Sequence, residues 1–282
     1  MKHDLFITLI LISLFLGSHV IGLFVIQKYL PEEKQLPLGI QKPEFNERTS
    51  YIPIMISMLI ATLLALLLIK LSAFKMWKTW FFLSVFLTLS ISFAAFVPEL
   101  IALLLALTFS ILKIFKPNIF IHNFTELFIY GGLAAVFVPV LSILSIVVLL
   151  ILVSIYDMIA VWKTKHMILM AKFQAKSKIF AGLFVPYRAK AAQVEMTAKK
   201  KIETKKKLYR QAILGGGDIA FSLLFSGVIL KNYGFFQAII TSVTAAIALF
   251  ILFLLAEKQK FYPAMPFVTA GSILGYLIVL AL

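Results

Sequence analysis

Long apolar runs separated by short polar segments make up most of the chain. A membrane-spanning helix needs about 20 predominantly apolar residues, and nine runs can serve: residues 5–26, 51–69, 79–96, 98–115, 124–138, 140–162, 212–230, 235–256 and 264–282. The fifth and sixth runs are divided only by the region of Pro139. Because a lipid-exposed backbone must satisfy its own hydrogen bonds, the pattern predicts an all-α integral membrane protein with nine transmembrane helices.

Composition supports this fold class and excludes several kinds of chemistry. The 282 residues are 62% hydrophobic and only 14% charged, a balance that soluble domains of this length do not show. Run 5–26 is too long for the apolar region of a cleavable signal peptide, so we expect it to persist as the first helix. The chain has no cysteine, which excludes thiol catalysis and disulfides. Its four histidines lack the i, i+4 spacing of a metal-binding pair: His3, His19, His122 and His166.

The distribution of basic residues predicts the orientation in the membrane. With the N-terminus in the cytoplasm, 22 of the 27 lysines and arginines fall in cytoplasmic segments and five fall outside. The net charge of +15 is therefore explained by the orientation in the membrane and by contact with anionic lipid. We expect no nucleic-acid binding. The prediction is a multi-pass protein of the cell membrane, with the N-terminus cytoplasmic and the C-terminus outside.

A basic cytoplasmic segment, residues 163–211, divides the chain into parts. A six-span part, 1–162, precedes it, and a three-span part, 212–282, follows it. Within the segment, "TAKKKIETKKKLYR" is typical of a solvated, flexible stretch. The upstream stretch, "HMILMAKFQAKSKIFAGLFVPYRAK", mixes apolar and basic residues at helical spacing, so we expect it to lie on anionic lipid of the inner leaflet.

Two of the three aspartates lie inside apolar runs, whereas Asp4 does not. Asp157 and Asp218 each lie about six residues, or roughly 9 Å, inside the cytoplasmic end of consecutive antiparallel runs. A single aspartate at such a depth can serve structure alone, and Asp157 can pair with Lys163. Two acids at one level instead favour a functional site, since each costs a few kcal/mol in the membrane.

Such a pair of carboxylates can perform acid–base chemistry without a metal or cofactor. Two neighbouring carboxylates tend to share one proton, so that one member activates water and the other protonates a carbonyl or leaving amine. Next to Asp218, the triplet Gly215–Gly217 would cost about 1 kcal/mol per glycine in a helix interior. It is interpreted either as a hinge or as a gap through which another backbone reaches Asp218. Pro263 and Pro266 interrupt regular hydrogen bonding at the start of the last run.

Three motifs, in order along the chain, resemble signatures of presenilins and signal peptide peptidases. Tyr156–Asp157 looks like the YD motif, Gly215–Gly216–Gly217–Asp218 like GxGD, and Pro263–Ala264–Met265–Pro266 like PALP. Gly216 at the variable position and Met265 in place of leucine are the two departures. The resemblance covers the whole nine-span plan and implies an intramembrane aspartyl protease.

By this resemblance, Asp157 and Asp218 are the catalytic pair. Tyr156, the three glycines and the Pro263–Pro266 segment would shape the active site and bind substrate. The cytoplasmic N-terminus is similar to the presenilin branch, and the short loops resemble a prokaryotic, archaeal member. Expected substrates are transmembrane segments or signal peptides whose own N-terminus lies outside. A single chain carries its own pair, and the sequence leaves a homo-oligomer open.

The main alternative is a cation or proton transporter or channel, because broken helices with intramembrane acids also bind ions. Against it, the two halves show no internal repeat, and only Asp157 and Asp218 are expected to be clearly buried. Glu99 is placed near the outer end of the fourth run and Glu126 near the inner start of the fifth. Prepilin peptidases also use a GxGD aspartate, but the nine-span plan and the proline motif fit them less well.

Overall fold

The structure is a computed structural model that describes residues 5–31, 35–164, 166–177, 179–188, 209–256 and 262–282. These residues form ten α-helices and one two-stranded antiparallel sheet. The helices are α1 (Leu5–Tyr29), α2 (Tyr51–Lys70), α3 (Phe74–Ala94), α4 (Glu99–Phe115), α5 (Ile119–Phe137), α6 (Ile143–Met158), α7 (His166–Ser177), α8 (Gly216–Tyr233), α9 (Phe235–Leu255) and α10 (Met265–Ala281). The strands are β1 (Gly182–Arg188) and β2 (Tyr209–Gly215).

The helices agree with a multi-pass membrane protein. Six helical segments of the described residues are long and apolar enough to cross a bilayer: Leu5–Tyr29, Tyr51–Lys70, Phe74–Ala94, Ile119–Val140, Ile143–Lys163 and Phe235–Leu255. The other three predicted runs contain α4, α8 and α10, which have 17, 18 and 17 residues. Each predicted run therefore contains a helix, and nine crossings stay a prediction.

Two helices begin earlier than their apolar runs. α3 begins at Phe74 rather than at residue 79, and α5 begins at Ile119 rather than at residue 124. At α5 the reason is a cap, because the side chain of Asn118 accepts a hydrogen bond from the Phe120 N–H at 2.9 Å. A helix can therefore continue into polar sequence where its first N–H groups are satisfied.

Burial separates a central helix from a lipid-facing one. Twelve of the 18 residues of α8 are buried, and this helix packs against α1, α5, α6, α9 and α10. By contrast, only Ile54, Ala65 and Leu68 are buried in α2. Exposed apolar side chains occupy much of α2, α3 and α4, as expected for helices that face lipid.

The sheet corrects two sequence-based predictions. It adds two short strands to an otherwise helical fold, and β1 and β2 pair with Gly182 opposite Gly215 and Leu183 opposite Leu214. Residues 212–215, predicted as the start of the seventh span, belong to β2. The stretch expected to be helical along the leaflet is divided into α7 and β1, because Gly182 has a φ of +140° and Pro186 cannot continue a helix. Of the basic run 197–210, residues 197–208 lie outside the described residues, whereas Tyr209 and Arg210 begin β2.

Candidate active site

Asp157 is held by the first residues of α10. Its side chain is only 8% exposed, and its Oδ2 accepts a hydrogen bond of 3.1 Å from the Met265 N–H. The Ala264 N–H is directed to the same carboxylate. Pro266 follows in the first turn, where a helix N–H has no helical partner to lose. The proline segment thus offers a helix N-terminus to a carboxylate, an electrostatically favourable contact.

A second link keeps α6 and α10 in register beside this contact. Ser154, one turn before Asp157, lies with its Oγ 2.8 Å from the Oγ1 of Thr269. Both hydroxyls are buried, so the polar pair satisfies itself inside the helix interface. The Pro263–Pro266 segment is therefore held at Asp157 by more than one hydrogen bond.

Asp218 lies in the first turn of α8 and not in a helix interior. Gly215 is the N-cap residue, with extended backbone angles (φ −64°, ψ 141°), so Asp218 is the third helical residue. The Gly215 N–H is directed to this carboxylate. An acidic third residue that faces the N-cap N–H is the arrangement found in a capping box. Asp218 is half-buried.

The two aspartates lie in electrostatic reach of each other. α6 and α8 are in direct contact, and the Asp157 carboxyl acts on that of Asp218. Asp157 enters from the end of α6, whereas Asp218 enters from the start of α8. The structure therefore brings together the two carboxylates that the sequence analysis selected. Two such groups with water between them can carry out general acid–base catalysis.

The three glycines have different surroundings. Gly215 ends β2, which removes it from the helix interior that the sequence analysis assumed. Gly216 donates its N–H to the Ala181 carbonyl at 3.3 Å and packs against the Tyr130 hydroxyl. A β-carbon at Gly217, in contrast, would have no heavy atom within 4 Å. Only Gly217 leaves open space next to Asp218.

Tyr156 joins α6 to two other helices. Its hydroxyl donates a 3.2 Å hydrogen bond to Thr62 on α2 and lies 3.0 Å from Nε2 of His166 on α7. These contacts set the position of α2 and α7 relative to the end of α6. Substrate binding by Tyr156 stays a prediction.

A buried ionic cluster joins α4 and α5, so the prediction that only Asp157 and Asp218 are clearly buried was wrong. Glu126 is 1% exposed because the ammonium of Lys113 lies 2.7 Å from its Oε1. Lys113, near the end of the predicted run 98–115, is only 4% exposed. The available signal was the presence of an acid and a base near the adjoining ends of runs four and five.

Comparison with known proteins identifies the family. Residues 12–282 match the family model described as "Signal-peptide peptidase, presenilin aspartyl protease". A solved structure of a presenilin family intramembrane aspartate protease, in space group C222, superposes with a TM-score of 0.66 at 19% identity, covering 97% of this chain and 98% of that chain. A second one, in space group P2, gives 0.63 at 18% identity and covers 96% of both chains.

No curated protein sequence matches the chain. The two solved structures are too distant in sequence to show more than a common fold. The family model, however, covers nearly the whole chain, and it does not favour the transporter interpretation. The protein therefore belongs to the signal peptide peptidase and presenilin family of intramembrane aspartyl proteases.

Proposed function

We propose that Asp157 and Asp218 are the catalytic pair of this protease. One observation supports the proposal above all: the two carboxylates lie on neighbouring helices in electrostatic reach, and a backbone N–H is directed to each of them. The protease would hydrolyse peptide bonds within transmembrane segments of membrane proteins or within signal peptides.

The reaction needs only these two groups and water. The ionised carboxylate takes a proton from water while the oxygen of that water adds to the scissile carbonyl carbon. The protonated carboxyl gives its proton to the carbonyl oxygen, and a tetrahedral intermediate forms. When the C–N bond breaks, the intermediate passes a proton back to a carboxylate, and the leaving amine takes up the proton first abstracted from water. No metal or cofactor takes part.

A helical substrate must unwind before its peptide bonds are exposed. We propose that the unwound segment binds as an added strand beside Gly215–Gly217 and the Pro263–Pro266 segment. β2 supports this proposal, because it delivers an extended backbone to Gly215, three residues from Asp218. Gly217, the residue directly before Asp218, has open space around the position of an added β-carbon.

The proline part of this proposal has its own test. Pro263→Ala and Pro266→Ala should lower kcat/KM for a helical single-span substrate, because each change alters the backbone that orients Asp157 and receives the substrate. Cleavage at the wild-type rate by both variants would contradict the docking role of this segment.

The catalytic assignment is tested with purified protein in liposomes and a fluorogenic single-span peptide. Wild type should release two fragments, whereas Asp157→Asn and Asp218→Asn should each lower the rate to background. Asp4→Asn is the matched control, because it changes the remaining aspartate of the chain, and it should cleave normally. Fragment release by either site variant would overturn the assignment. An ion flux that responds to the same variants would indicate a transporter.

We further propose that the chain crosses the cell membrane nine times, with its N-terminus in the cytoplasm and its C-terminus on the outer side. The lysine and arginine distribution supports this orientation, which fits substrates whose own N-terminus lies outside. Segment 163–211 would then meet the anionic lipid of the inner leaflet.

A further inference from the structure

A buried ion pair lies close to the junction of β2 and α8 that carries Asp218. Lys113 on α4 and Glu126 on α5 are 4% and 1% exposed, and their charged atoms are 2.7 Å apart. Burying two charges costs more free energy than burying apolar side chains of the same volume. Stability is thus a weak explanation for this pair, so its other contacts are informative.

Lys113 determines which nitrogen of His122 carries a proton. The ammonium donates to Glu126 Oε1, to Thr125 Oγ1 at 3.0 Å and toward His122 Nδ1 at 3.3 Å. Because an ammonium can only donate, Nδ1 must accept, and the proton of a neutral imidazole lies on Nε2. Nε2 then donates to the Gly182 carbonyl at 2.7 Å. Lys113 thereby orients His122 toward the first residue of β1.

The second oxygen of Glu126 has two donors of its own. Oε2 accepts a 3.0 Å hydrogen bond from the Gly182 N–H and another from the Tyr130 hydroxyl. Both backbone groups of Gly182 are therefore bound by α5 side chains. Gly182 is opposite Gly215 in the sheet, so the cluster holds the end of β2 through β1.

Tyr130 provides a second route to the same junction. Its side chain is 4% exposed, and a β-carbon on Gly216 would lie 2.7 Å from its hydroxyl oxygen. The hydroxyl is also in electrostatic reach of Asp218. Glu126 thus acts on Gly215 through Gly182 and on Gly216 through Tyr130, and Asp218 follows two residues later.

We propose that Glu126 is a positioning residue for the active site. With Lys113 as its counterion, it fixes Gly182 and Tyr130 against Gly215–Gly216 and thereby sets where Asp218 lies relative to Asp157. The inference rests on the proposed catalytic role of Asp218. A displacement of about 1 Å at a reacting group can lower a rate by about 100-fold, so a cluster that does not touch substrate can still control turnover.

The experiment separates positioning from charge balance. Glu126→Gln leaves the Lys113 charge unpaired, so both the melting temperature and kcat should fall. The double variant Lys113→Met/Glu126→Leu removes both charges and also the acceptor for Gly182 and Tyr130. It should regain most of the melting temperature, while kcat stays about 10-fold or more below wild type and KM changes little. Tyr130→Phe removes one donor to the buried Glu126 carboxylate, so the melting temperature should fall modestly while kcat falls about 10-fold or more.

Tyr276→Phe is the matched control for Tyr130→Phe. The Tyr276 hydroxyl lies 3.3 Å from that of Tyr233, at the other end of α8 from Asp218. This variant should cleave like wild type. Hydrogen exchange of residues 179–188 supplies a readout besides proteolysis, and it should be faster at the start of β1 in the double variant.

The outcomes distinguish this inference from the proposed function. If Asp218→Asn cleaves the peptide, the proposed function fails. If Asp218→Asn is silent while Tyr130→Phe and the double variant keep wild-type kcat, only the positioning role is overturned, and the pair serves folding alone. A low kcat with a recovered melting temperature and faster exchange at β1 supports the role of Glu126.

Discussion

Gly217 is the glycine whose missing side chain we propose to serve substrate access rather than folding. It is exposed in the first turn of α8, and an added β-carbon would contact nothing within 4 Å. Alanine favours a helix over glycine by about 1 kcal/mol, so Gly217→Ala should keep or raise the melting temperature. The same methyl group would obstruct a substrate backbone on its way to Asp218, so kcat/KM should fall about 10-fold, as overpacking of 1–3 kcal/mol implies.

Gly216→Ala provides the contrast for this prediction. Its β-carbon would collide with the Tyr130 hydroxyl. This variant should therefore have a lower melting temperature as well as a lower kcat/KM. Thermal unfolding and peptide cleavage, measured for both variants, separate the two effects. A Gly217→Ala variant with wild-type kcat/KM would show that the glycine serves only as a hinge.

His166 predicts a pH dependence at the residue scale. Burial lowers the pKa of His166, so the folded chain binds its proton less readily than the unfolded chain does. Its stabilising effect is therefore complete above the ordinary histidine range, about 6.5, and is lost as the pH falls below it. Because other histidines also titrate, the measurement is the difference in melting temperature between wild type and His166→Gln at pH 7.5 and at pH 5.5. Equal shifts in both proteins would contradict the assignment.

At the scale of elements, α9 and α10 pack through small residues. Gly271 and Gly275 have the four-residue spacing that lets membrane helices approach closely. A β-carbon on Gly271 would lie 2.6 Å from that of Ala248, and one on Gly275 would meet Thr244. α10 also carries the Met265 N–H that binds Asp157. The position of α10 against α9 therefore affects the geometry at Asp157.

Gly271→Leu should therefore lower stability and cleavage together. Overpacking typically costs 1–3 kcal/mol, and a displaced α10 would no longer present Met265 to Asp157. Leu274→Phe is the control, because Leu274 is 56% exposed on the lipid-facing side of the same helix and should tolerate the change. A cleavage rate unaffected by Gly271→Leu would mean that α10 can shift without disturbing Asp157.

The junction of β2 and α8 sets the depth of Asp218. If the residues from Gln211 to Asp218 were all helical, as the sequence predicts, each would add about 1.5 Å along the helix axis. Residues 212–215 are instead extended, with a rise of about 3.3 Å each. The same four residues therefore span about twice the distance as strand that they would as helix, and α8 begins only two residues before Asp218.

For the whole molecule, the absence of cysteine allows a direct test of topology. Single substitutions place one thiol on each side: Arg48→Cys and Leu282→Cys in predicted outer segments, and Lys116→Cys in a predicted inner one. All three positions are exposed. In right-side-out vesicles, a membrane-impermeant maleimide should label residues 48 and 282 but not residue 116. Labelling of residue 116 before lysis would contradict the proposed orientation.

The sequence by itself determined the properties that depend on consecutive residues. Apolar runs identify where helices form, because about 20 such residues suffice to cross a bilayer wherever they occur. The three short motifs indicated the protease family, and the family model over residues 12–282 confirmed it. The basic residues predict the orientation by the same local rule, and that prediction awaits its test.

Only the tertiary structure decided the contacts between residues far apart in the chain. Gly182 pairs with Gly215 across residues 189–208, and Asp157 accepts from Met265, which is 108 positions away. Glu126 is buried because Lys113 comes from another helix. Hydropathy indicates which segments are apolar enough to lie in lipid. A buried charge, however, is stable only beside an opposite charge, and a strand only beside another strand, and the tertiary fold determines which residues come together. The partners of Asp157, Asp218 and Glu126 therefore follow from the fold.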